Sequence, residues 1–327
     1  MKYAYYPGCS LSSTGREYSE STIAVAGQLG IELNEIPDWS CCGASSAHCT
    51  DHLLSLALPA HTLAQAEAMQ LDIAVPCAGC FNRLRGAEAA LKDSRQKSLI
   101  EDALGMSLKG SVRSYSLLDI IVNQVGLEKI KEKTKRPLTG LKLACYYGCL
   151  LVRPASLTGF DDPENPQSMD QLMQALGAPA FNWPFKVECC GGNLAVPRTD
   201  IALKMSFDII NLAKESGADA IVTACPLCMV NLDTRQTQME KQHKAKLQVP
   251  IFYFTELIGL ALGLTPKELG ITRHFVNPQP FFKKWEAEEK AAAEAAIKAE
   301  QEAAAKKEKA AKAKAKADAE AKEEGEA

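Results

Sequence analysis

Cys41-Cys42-Gly43-Ala44 and Cys189-Cys190-Gly191-Gly192 are two versions of one doublet, and the rest of the chain is arranged around them. Each doublet follows a lone Gly-Cys (Gly8-Cys9 and Gly148-Cys149) and precedes a Cys-x-x-Cys pair (Cys77/Cys80 and Cys225/Cys228). The spacings are C-x31-CC-x34-C-x2-C and C-x39-CC-x34-C-x2-C, so the interval from doublet to pair is identical in both. Ten of the twelve cysteines fall into these two sets of five, which makes the chain an internal repeat of a thiolate cage. Zinc sites and ordinary iron–sulfur clusters take four protein ligands, so five leaves one sulfur spare or requires an unusual cluster. Neighbouring side chains on an extended chain point to opposite sides. Both sulfurs of a doublet therefore reach one site only through a sharp bend, which Gly43 and Gly191 permit.

Outward from the doublets the chain alternates strand and helix. A strand over 2–6 ends at Pro7-Gly8, leaving Cys9 in the loop before a helix over 17–29 that stops at Gly30. A strand over 32–36 delivers the first doublet, a helix over 52–69 follows, and a buried strand over 72–75 gives way to Cys77 and Cys80. The half closes with a strand and helix over 111–125. A basic segment over 128–139, ending in Arg136-Pro137, reads as the linker. The order then repeats: a strand over 141–147, helices over 169–176 and 201–216, and a strand over 220–223 before Cys225. The expected fold is α/β, with two pseudo-equivalent Rossmann-like halves of one cysteine set each. The expected units are residues 1–136, 137–282 and a charged Ala-rich tail, 283–327. In such units ligands gather at the carboxyl ends of strands, where all ten repeated cysteines fall.

The tail holds 11 Lys and 12 Asp or Glu, with Ile297 its only large aliphatic residue. With no apolar stripe to bury, it reads as solvated helix or disorder. A formal net charge of −3 gives no reason to expect nucleic acid as a partner. No apolar run is long enough to span a bilayer, and no signal-peptide pattern opens the chain, so a reducing cytoplasmic setting is expected. Cys145, inside a predicted strand, reads as core filler. Cys49 with His48 and His52 could suggest zinc, but the group would need a fourth ligand and has no counterpart in the second half. Arg83, Arg85, Arg153 and Arg198 are candidate anion contacts beside the sets, although such arginines more often pair structurally. The chain shows neither a C-x2-C-x2-C-x3-C-P run nor a convincing dinucleotide fingerprint, so its electrons must come from elsewhere.

These motifs resemble those of the B-type subunit of heterodisulfide reductase, a family built on the CCG domain. The likeness covers roughly residues 1–275. It rests on Tyr6-Pro7-Gly8-Cys9, Pro37-Asp38-Trp39-Ser40-Cys41-Cys42-Gly43-Ala44, Pro76-Cys77-Ala78-Gly79-Cys80 and Ala224-Cys225-Pro226-Leu227-Cys228. The run Ser45-Ser46-Ala47-His48 belongs to the same pattern and assigns His48 to the cluster pocket. The resemblance implies two noncubane [4Fe-4S] clusters. Cys9, Cys41, Cys42, Cys77 and Cys80 would hold one, and Cys149, Cys189, Cys190, Cys225 and Cys228 the other. It further implies reductive cleavage of a disulfide of two thiol coenzymes between the clusters. Its implied partners are a C-type ferredoxin protein with cubane [4Fe-4S] clusters and an A-type flavoprotein. Two other activities share the domain: oxidation of protein- or lipoyl-bound sulfane sulfur, and electron relay beside a flavoprotein 2-hydroxyacid or glycerol-phosphate dehydrogenase.

Overall fold

The computed structural model describes residues 1–44 and 46–324, apart from the side chains of residues 300 and 303–324. Ser45 of the Ser45–His48 run and the last three residues of the tail lie outside the described residues. The first half carries strands β1 (Lys2–Tyr5), β2 (Glu32–Glu35), β3 (Ile73–Val75) and β4 (Ser114–Ser116). They pair in the order β2-β1-β3-β4, every pair parallel. The second half carries β5 (Leu143–Tyr146), β6 (Ala220–Thr223) and β7 (Ile251–Tyr253), parallel in that order. Strands buried on both faces read as unbroken apolar runs. Accordingly, β3, β6 and β7 are buried at every position. The polar β2 lies at a sheet edge, where one side needs no cover. The second sheet has no counterpart of β2 among the described residues. There, irregular chain holds the equivalent place, and Lys186 O accepts from the N–H groups of Tyr147 and Gly148.

The two halves share one core. Helix Arg16–Leu29 of the first half ends on Gly30 in the left-handed conformation and packs against helix Phe254–Ala261 of the second. At that crossing the Ser21 and Thr255 hydroxyls lie 2.7 Å apart, and the Tyr18 and Tyr253 rings stack 3.9 Å apart at 6°. Such a stacked, fully buried pair contributes about 0.5–1.5 kcal/mol beyond its area.

The basic segment read as the linker is helical as far as Lys133, in helix Leu127–Lys133, and buries Ile130. The tail needs correction, because it does have something to bury. Helix Gln279–Glu324 begins against the second half, with Phe281 2% and Trp285 0% exposed. Trp285 Nε1–H donates to Pro137 O at 2.8 Å, and the Arg136 guanidinium lies over the indole at 3.9 Å. Arg136 also pairs with Glu289, and Lys284 with Asp219, each at 2.8 Å. A start at residue 283 cuts through this docking segment, and a search for aliphatic stripes passes over a single aromatic anchor.

Candidate metal centre

The lone Gly-Cys of each half sits just past the first strand of its sheet, and the two are built alike. Gly8 has φ +66° and Gly148 φ +68°, and a Cβ on either would stand 3.2 Å from a cysteine sulfur, Cys80 Sγ and Cys228 Sγ respectively. Glycine is therefore required twice, by backbone sign and by the sulfur behind it. The doublets turn in the same way, on Gly43 at φ +67° and Gly191 at φ +73°. A tyrosine three residues before each lone cysteine fixes the doublet from behind. Tyr6 Oη donates to Ser40 O at 2.7 Å, and Tyr146 Oη donates to Glu188 O at 2.6 Å. Burial and the surrounding sulfurs raise both phenols far above their ordinary range, so each hydroxyl stays a donor.

Within each set the sulfurs fall into a mouth and a floor. Cys9 and Cys41 are exposed with sulfurs 3.7 Å apart, and Cys149 and Cys189 are half-buried at 3.9 Å. On the floor, Cys42 and Cys80 are buried at 3.2 Å, and Cys190 and Cys228 at 3.5 Å. The fifth cysteines, Cys77 and Cys225, are both buried, one from each half at the boundary between them. One hydroxyl holds that junction: Tyr18 Oη donates to Pro76 O at 2.9 Å and lies 3.3 Å from Ala224 O. Each of those carbonyls immediately precedes its junction cysteine.

The thiols are not alike in acidity. Hydrogen bonds from Cys41 and Cys80 lower Cys42 to about 4, while the donors themselves are pushed up. Cys189 is lowered to about 6, first by Cys149 and then, against the cost of burial, by the N–H groups of Gly191 and Gly192. Cys225 is drawn well down by Cys228 and Cys77, with backbone N–H groups of Cys228 and Leu227 adding to it. Each half thus carries a sulfur poised as thiolate, the form that binds metal.

Soft thiolates in this number suit iron and sulfide rather than oxygen-seeking cations. Among the described residues no three His, Cys, Asp or Glu side chains are arranged to hold a single metal ion. The second set surrounds a cavity of about 150 Å³, walled also by Leu150, Leu194, Leu227 and, from the first half, Ala78 and Arg83. The donor chemistry and the repeated arrangement of the sulfurs fit a polynuclear cluster.

The remaining sequence candidates separate cleanly. Cys145 is buried in β5, with Asp170 and Lys186 as its charged neighbours. Cys49 and His52 are exposed, and the His48 Nδ1 lies 3.3 Å from Arg83 Nη2. Arg85 pairs with Glu88, Arg153 with Glu164 and Arg198 with Asp200. Tyr18, Asn82 and Tyr253 carry no signal in the sequence. Asn82 Nδ2 crosses to Leu150 O and Arg153 O in the other half, at 3.3 and 2.8 Å. Tyr6 and Tyr146 could have been found, since each stands three residues before its lone cysteine.

Comparison with known families matches the CCG cysteine-rich domain twice, over residues 3–85 and 143–233. The chain belongs to the CCG family, in its heterodisulfide reductase B-type branch. It is 30% identical over 290 residues to the B-type subunit of the ferredoxin:CoB-CoM heterodisulfide reductase of Methanosarcina mazei, covering 86% of this chain and 96% of that one. It is 40% identical over 279 residues to the 8-methylmenaquinol:fumarate reductase membrane anchor subunit of Wolinella succinogenes, covering 84% and 97%. A hypothetical protein from Helicobacter pylori shares the fold at a TM-score of 0.65 and 13% identity, over 84% of this chain and 52% of that one. This CCG protein is an iron–sulfur oxidoreductase component that works with partner subunits. No helix of the described residues is long and apolar enough to cross a membrane.

Proposed function

We propose that the chain holds two noncubane [4Fe-4S] clusters, one per five-cysteine set, and carries electrons within a quinol-linked fumarate or succinate oxidoreductase complex. The observation that carries this reading is the Tyr18 junction, where one hydroxyl meets the carbonyls just before the buried Cys77 and Cys225 and so ties the two sets together. Cys9, Cys41, Cys42, Cys77 and Cys80 would hold the first cluster, and Cys149, Cys189, Cys190, Cys225 and Cys228 the second. When bound, each supplies a one-electron carrier, so a pair of them serves two-electron chemistry. The chain's own part is to fix spacing and exclude water. Tyr18 holds the two junction segments at one separation, and the floor cysteines are buried. The exposed Cys9/Cys41 mouth is the natural side for a partner protein. The type of complex is supported by the 40% identity over nearly all of the Wolinella protein, against 30% for the methanogen reductase.

A second reading, disulfide cleavage between the clusters, is favoured by one feature. Residues of the first half wall the second set's cavity, so a substrate entering there would touch both halves. The two readings are tested on the complex purified anaerobically through a tag on this chain. Quinol-analogue oxidation coupled to fumarate reduction is expected, lost on Cys41→Ala and on Cys189→Ala. Reduction of a thiol-coenzyme disulfide by reduced viologen, without fumarate turnover, would overturn the first reading in favour of the second.

A further inference from the structure

We infer that Arg83 of the first half tunes the second half's metal site. This rests on the reading that each set holds a cluster. Arg83 stands three residues after Cys80, and the residue three after Cys228 is Asn231. The repeat therefore places a cation in one half and a neutral amide in the other. Asn231 is buried and engaged, donating Nδ2 to Cys190 O at 2.9 Å. Arg83 instead reaches the boundary between the halves while held by residues of its own half. Its Nη2 lies 3.4 Å from Ala44 O and 3.3 Å from His48 Nδ1, which orients the guanidinium. From there it joins the wall of the cavity ringed by Cys149, Cys189, Cys190, Cys225 and Cys228. Among the described residues it is the one cation on that wall, and its Nε is buried without a hydrogen-bond partner.

A buried guanidinium nitrogen with no acceptor is costly. Arg83 has no carboxylate partner among the described ion pairs, whereas Arg85, Arg153 and Arg198 all have one. The groups placed to compensate Arg83 are the cysteine sulfurs of the cavity it lines. A positive charge beside an iron–sulfur centre favours the more negative, reduced form, and hydrogen bonds toward sulfur act in the same direction. An added electron at the second site is thus stabilised by a charge that the first half supplies. His48, accepting from a guanidinium at Nδ1, acts through Arg83 as a positioning residue.

Redox titration of the anaerobically loaded chain, followed by electron paramagnetic resonance, tests this. A Cys9→Ala background removes a first-set ligand, so that the second-set signal is read alone. Arg83→Gln is expected to move that midpoint downward with iron and sulfide unchanged. Arg83→Lys, which keeps a charge but displaces it and loses the Nε–H, is expected to move it downward by less. An unmoved midpoint in iron-replete Arg83→Gln overturns the inference. If that variant does not load, an Arg83→Lys midpoint equal to wild type overturns it just as directly. Absence of iron from the wild-type chain would be a different result, defeating the cluster reading beneath.

Discussion

Trp285 gives the sharpest quantitative prediction. Its side chain is fully buried, its Nε1–H satisfies Pro137 O, and Arg136 covers its face. Trp285→Ala removes the indole from a packed site and strands a carbonyl. Core Trp→Ala changes cost about 3–5 kcal/mol. The hydrogen bond alone is worth about 1 kcal/mol, so Trp285→Phe should recover most of the loss. The contribution is confined to the start of the helix, because its described contacts with the body run from Phe281, against Phe252, through Lys284 and Trp285 to Glu289, on Arg136. Deleting residues 283–327 should therefore lower the denaturation midpoint by an amount corresponding to about 3–5 kcal/mol. Deleting residues 291–327 should change stability by less than about 0.5 kcal/mol, the ordinary size of surface effects. Equilibrium urea denaturation under anaerobic conditions, followed by circular dichroism, makes the comparison. Equal midpoints for the two deletions would refute the argument.

Three further outcomes are expected. Burial depresses His274 but the Glu256 carboxylate, 2.9 Å from its Nε2 and backed by Asp233 and Glu17, outweighs this and raises it, while burial also raises Glu256. Both groups hold protons more tightly folded than unfolded, so the stabilisation from Glu256 fades as pH rises above about 4.5 and that from His274 above about 6.5. Glu256→Gln should reverse the His274 contribution, with urea midpoints then falling as pH drops; an unchanged slope would sink this account. Gly43→Ala would set a Cβ 2.5 Å from Ala47 Cβ, and Gly191→Ala one 2.9 Å from Ala202 Cα, each in a left-handed turn. The turn alone costs about 1–2 kcal/mol, and iron content of that set should fall; full loading of either variant would show that the bend is not needed. Cys145→Ser should leave iron content intact and Cys42→Ser should lose that of one set, and the reverse pattern would invalidate the ligand assignment.

The cysteine arithmetic made most of the site legible because it was written twice. Equal spacing from doublet to pair can be seen without knowing any backbone, and the alternating apolar runs placed strands within a residue or two of β1, β2, β3 and β6. What stayed hidden was whatever joins distant positions. Tyr18 lies in an ordinary amphipathic helix, and nothing local says that its hydroxyl meets carbonyls 58 and 206 residues away. Trp285 was obscured by the composition around it, since one aromatic among Lys, Glu and Ala makes no periodic stripe. The edge strand missing from the second sheet was equally unreadable. There the bonds that replace it converge on one residue, Lys186, rather than running along a ladder.

The junction at Tyr18 has a consequence for how such a chain can change over generations. Duplicated halves are ordinarily free to diverge, each answering for its own stability. Here Tyr18 belongs to one half and one of its carbonyls, Ala224 O, to the other, while Asn82 caps Leu150 O and Arg153 O across the same boundary. A substitution in the first copy is therefore felt in the second copy's site. A hybrid made by grafting one half from a distant relative should assemble only if Tyr18, Asn82 and Arg83 arrive together with the backbone that receives them. The duplication has become an indivisible pair, inherited as one unit.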